Sequence, residues 1–89
     1  MNWDRFHELV DDTVSRLRES ADNPSGMRAA IRHYLSRGSR LGMSPAILWD
    51  YFCASHPGIV GRAGYTGAAR ETVIKEFEYL SRQKFPDHD

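Results

Sequence analysis

Ser44-Pro45-Ala46-Ile47-Leu48-Trp49-Asp50-Tyr51-Phe52-Cys53-Ala54-Ser55 is the stretch whose reading decides the fold. Ser44 before Pro45 is a helix start. The hydroxyl can accept from an amide of the first turn, and proline stands where no amide partner is needed. At helical spacing Ile47, Leu48, Tyr51 and Phe52 share one face, while Ala46, Trp49 and Cys53 make a second apolar stripe. Only Asp50 interrupts. A helix that is apolar nearly all round is normally central, so the pattern predicts a bundle wrapped around residues 44–55.

Upstream, Trp3, Phe6, Leu9, Val10, Thr13, Val14 and Leu17 recur at three and four and predict an amphipathic helix over residues 2–21. Asn2 can cap it, Asp4 suits its first turn, and Asp12 is placed to pair with Arg16. A second helix is expected over 24–37, with Asn23 as cap and Pro24 in the first turn. Its buried stripe is Met27, Ala30, Ile31, Tyr34 and Leu35, and Gly38 reads as a left-handed cap that ends it.

Downstream, His56-Pro57-Gly58 stops the central helix. Gly58, Gly61 and Gly64 then predict a glycine loop over 58–64, partly pinned by Ile59 and Val60. A last helix is expected over 66–84, with Ala69, Val73, Ile74, Phe77 and Leu80 inward. Glu71 with Lys75 and Glu78 with Arg82 are its surface pairs, and residues 85–89 read as a frayed tail. No strand pattern or repeat occurs. The expectation is a single all-α domain over 1–89, a compact four-helix arrangement around the central apolar helix.

Composition narrows the setting. Of 89 residues, 40% are hydrophobic and 27% charged, which suits a globular domain with one core. No apolar run could span a bilayer, and Met-Asn-Trp-Asp-Arg is not the start of a signal peptide. One cysteine cannot form an internal disulfide. Together these features point to the cytoplasm and away from membranes.

The net charge of zero is unevenly spread. Residues 1–24 carry three basic and six acidic groups, residues 25–70 six arginines against Asp50, and residues 71–89 three against five. The positive middle is either an anion-facing surface or is neutralised by the acidic flanks.

Tests for chemistry return little. His7, His33, His56 and His88 fall in different elements without ligand spacing, so no metal or cofactor is expected. Cys53 lies on the most apolar helix, where a thiol packs rather than reacts. Asp11 and Asp12 sit on a solvated face that would raise neither pKa. The glycines 58–64 lead into a helix start beside Arg62 and Thr66, but neither phosphate-loop spacing is present. A non-enzyme is expected.

Residues 68–77, Ala-Ala-Arg-Glu-Thr-Val-Ile-Lys-Glu-Phe, resemble the recognition helix of helix-turn-helix proteins. That resemblance implies duplex DNA binding through Arg28, Arg32, Arg62, Arg70 and Lys75. The pattern departs in two ways. The preceding loop exceeds the usual turn of about three or four residues, and Glu71, Glu76 and Glu78 would face phosphates. The leading expectation is therefore a small regulatory or inhibitory protein that binds another protein or a second copy of itself. Trp49, Tyr79, Arg28 and Arg32 are its candidate contacts, because Trp, Tyr and Arg most often anchor interfaces.

Overall fold

In a computed structural model, residues 2–86 are described, and among them every regular element is helical. Helix α1 spans Trp3–Glu19. The Asn2 side chain accepts from the Arg5 amide at 3.2 Å, satisfying one of the free donors at the helix start. Phe6, Leu9, Val10, Thr13, Val14 and Leu17 are buried. Thr13 belongs there because its hydroxyl donates to the Leu9 carbonyl at 2.7 Å, which leaves no polar atom unpaired.

Helix α2 spans Pro24–Arg40, with Asn23 accepting from the Gly26 amide at 3.1 Å. It runs past the expected stop. Gly38 is helical and buried, and the left-handed residue is Gly42, at φ 89° in the turn that follows. Gly38 is required for another reason. A β-carbon there would lie 2.3 Å from Cδ2 of Leu48, so the missing side chain is what lets the next helix approach.

That helix, α3, spans Pro45–Trp49 and continues into a π-helical turn over Asp50–Ala54. Ser44 caps it as expected, its hydroxyl accepting from the Ile47 amide at 3.2 Å. In the π turn the Ser55 amide reaches back five residues to the Asp50 carbonyl at 2.9 Å, instead of the usual four. Leu48, Phe52 and Cys53 are buried and Tyr51 and Ile47 half-buried, while Ala46 and Trp49 stay at the surface. The central helix is thus covered on one face and along one edge rather than all round.

The glycine loop is corrected as well. Gly58–Arg62 forms a short helix, α4, in which Ile59 and Val60 are fully buried. Glycine disfavours helix by about 1 kcal/mol per residue. Burying two branched aliphatic side chains, worth roughly 1.5–3 kcal/mol each, offsets that. Helix α5 spans Gly67–Lys84 and buries Val73, Phe77 and Leu80. Ala69 is exposed and Ile74 only half-buried, so the inward stripe is narrower than its spacing suggested. Phe85 is not part of a frayed tail but packs against the core, and residues 87–89 lie outside the described residues.

Aromatic rings tie the helices together. Phe52 of α3 and Phe77 of α5 stack with centroids 4.2 Å apart. Tyr34 of α2 lies 5.9 Å from Phe52 and 6.2 Å from Phe77, and Phe6 of α1 is 6.1 Å from Tyr34. The buried Tyr34 hydroxyl donates to the Leu48 carbonyl at 2.7 Å, so its polar end is paired inside the core.

Leu48→Ala or Phe52→Ala should cost about 2–5 kcal/mol, read from urea midpoints. Gly38→Ala should also destabilise. The helix-propensity gain of about 1 kcal/mol is outweighed by overpacking against a fully buried Leu48, which costs roughly 1–3 kcal/mol. Because both changes meet at one contact, Gly38→Ala with Leu48→Ala should cost less than the two singles added. Strict additivity would show that the α2–α3 contact is misplaced.

Candidate functional site

The uncovered edge of α3 faces the C-terminal half of α5 across a groove of about 660 Å³. Trp49, Phe77 and Phe85 form its apolar walls, Pro45 and Ala46 close one end, and Glu78 and Arg82 stand on its polar rim. Trp49 remains 36% exposed, with its ring 5.8 Å from that of Phe77. The local sequence explains this placement. Ser44 and Pro45 start α3, so Leu48 and Phe52 turn inward while Ala46 and Trp49, on the next strip of surface, turn toward the groove.

The other expected contacts lie elsewhere. Tyr79 is 57% exposed, and its hydroxyl accepts from the Gln83 amide nitrogen at 2.9 Å. Gln83 lines a separate hollow with Arg32 between α2 and α5. Arg28 pairs with Glu76 across the same two helices. Trp49 is therefore on one side of α5, and Arg28, Arg32 and Tyr79 are on the other. Sequence reasoning placed Phe77 in the core and Phe85 in a tail, and missed that both flank Trp49. The signal available was the spacing of Ile74, Glu78, Ser81 and Phe85, which repeats at four, three and four beside the buried stripe.

The positive middle of the chain is largely tied to its acidic flanks. Arg62 pairs with Asp11 at 2.8 Å, and the Arg18 guanidinium donates to the Arg62 carbonyl at 2.6 Å. The Arg70 guanidinium donates to the Cys53 carbonyl at 3.4 Å. Arg28 has Glu76. Exposed pairs of this kind stabilise by only about 0–1 kcal/mol, so their main effect is on where charge lies. Of the five residues in the DNA-binding reading, Arg32 and Lys75 alone lack an acidic or carbonyl partner among the described residues.

Little in the arrangement carries bond-making chemistry. The Cys53 thiol is buried, and burial pushes its pKa from 9.0 up to about 11, with the positive charge of Arg70 opposing the rise. Such a thiol is protonated and inert at neutral pH. Asp12 is exposed and bonded to Arg16 at 2.7 Å. Among the described residues no three His, Cys, Asp or Glu side chains converge as a metal site. His33 Nδ1, between α1 and α2, is buried without a hydrogen-bond partner, but Arg5, Glu8, Asp12 and Arg37 around that hollow are mixed in sign. No helix among the described residues is long and apolar enough to cross a membrane.

No protein-family model, curated protein or solved structure matches this chain, so the functional argument stands on its own geometry.

Burial also raises the pKa values of Tyr34 and Tyr65. All three shifted groups hold their protons more tightly folded than unfolded. Their stabilising contribution is complete below pH 9 and is lost as pH rises toward and past the folded values. Urea midpoints should accordingly fall above pH 9, and less steeply in Cys53→Ala. A midpoint flat to pH 11 would place the thiol in solvent.

Proposed function

We propose that this protein is a small non-enzymatic regulator or inhibitor that acts by binding another protein, with the Trp49 groove as its contact. The observation that carries this reading is a tryptophan left over a third exposed at the edge of an otherwise well-packed core. Soluble domains bury such side chains unless a partner covers them, and a Trp set among Phe, Pro and Ala is a typical interface anchor. Glu78 and Arg82 supply the polar rim that interfaces carry around an apolar centre. The second surface, with Tyr79, Arg28 and Arg32, is weaker support, because Arg28 is already engaged by Glu76. A single buried cysteine supports a cytoplasmic setting.

One observation favours a second reading, DNA binding in the manner of helix-turn-helix proteins. Residues 63–66, between α4 and α5, make a turn of the length that such proteins use, because α4 occupies what the sequence presented as loop. Against it stand the engaged arginines and the exposed Glu71 on α5.

Immobilised parent protein and Trp49→Ala, both shown folded by circular dichroism, should differ in what they retain from nuclease-treated extract of the native host. A defined protein kept by the parent and lost by the variant supports the groove; equal retention by both overturns it. The duplex reading has its own measurement. Affinity for duplex should fall with salt, and Arg32→Ala with Lys75→Ala should flatten that slope by about two phosphate contacts. Absence of duplex binding at low salt would end it.

A further inference from the structure

We infer that the occupant of the Trp49 groove is a second copy of this chain, docked with its α5 antiparallel across a two-fold axis. This rests on the reading of the groove as a protein contact and names the partner. A two-fold contact must be self-complementary, because each residue meets a counterpart from the same surface patch.

The outer face of α5 meets that demand. Ile74, Glu78, Ser81 and Phe85 are all half-buried, and their four-three-four spacing is the seam of a paired helix. In an antiparallel pair, residues equally distant from the axis face each other. An axis beside Leu80 sets Glu78 of one copy opposite Arg82 of the other, and Arg82 opposite Glu78. The same axis, within half a residue, sets Ile74 opposite Phe85. The apolar and the charged registers therefore select one alignment. Ser81, near the centre, is small enough for close approach.

The charges also have reason to change partner. Within one chain Glu78 and Arg82 are 3.6 Å apart on an exposed surface, with the Arg82 side chain 77% accessible, a weak pairing in water. Helix α5, with 18 residues, is about 27 Å long and offers three to four turns for the contact. Trp49 and Ala46 flank the seam from α3 and would be covered by the partner copy.

Sedimentation velocity over a concentration series tests this on four proteins: the parent, Trp49→Ala, Glu78→Arg, and Glu78→Arg with Arg82→Glu. Far-UV circular dichroism first confirms that each is folded. The parent should dimerise. Trp49→Ala should weaken the dimer about thirtyfold, the usual effect of removing an anchor. Glu78→Arg should weaken it comparably, since arginine would then face arginine across the axis. The double exchange should return the affinity to within about threefold of the parent, because the reversed pattern is again self-complementary. A parent that stays monomeric at every concentration overturns the inference, as does a double exchange no better than the single. If a monomeric parent still loses a host protein on Trp49→Ala, the groove is a contact for a different protein and only the identity of its occupant was wrong.

Discussion

The contact between Leu48 and the bare backbone at Gly38 is the constraint from which the rest of the arrangement follows. A β-carbon at Gly38 would sit 2.3 Å from Leu48 Cδ2, so α2 and α3 approach more closely than any other residue would allow. At that separation the Tyr34 hydroxyl reaches the Leu48 carbonyl, and the Tyr34 ring lies within reach of both Phe52 and Phe77. The stack of Phe52 on Phe77 then decides how far α5 can close over α3. Where α5 cannot close further, the groove remains, with Trp49 on its wall.

The N-terminal side of the fold is held differently. Helix α4 and its following turn are strapped to α1 by polar groups: Arg62 to Asp11, Arg18 to the Arg62 carbonyl, and the Tyr65 hydroxyl to the Leu17 carbonyl at 2.7 Å. Beneath these lie Ile59 and Val60, fully buried. Burial of the two aliphatic side chains stabilises the contact, and the directional bonds set its register. The same bonds withdraw arginines from the surface, which links the packing of this end to the low free positive charge of the molecule.

Helix starts were legible because each is a local event. Asn2, Asn23 and Ser44 each sit next to the amides they serve, and proline confirms two of the three. The stripes of α1 and α2 were legible for the same reason, since periodicity records burial directly. Gly38 was misread because a glycine that ends a helix and one that admits a neighbour look identical in a single chain. Helix α4 was hidden because three glycines lower local propensity, while the burial of Ile59 and Val60 depends on distant partners. The groove was half legible. Its tryptophan stood out as part of a second stripe, but Phe77 and Phe85 join it only through the packing of α5.

The π turn at Asp50–Ala54 gives this small molecule a sensitivity to chain length. A π turn holds more backbone per revolution than an α turn, so it behaves as a residue taken up within the helix. Removing one residue there would restore α geometry and rotate whatever follows by about 100°. Leu48 and Trp49 lie before the turn, whereas Phe52 and Cys53 lie within it. The phase between the part of α3 that meets α2 and the part that stacks on α5 is thus stored as a residue count. Composition can drift there within the limits of size and polarity, but a single deletion would uncouple the two halves of the helix.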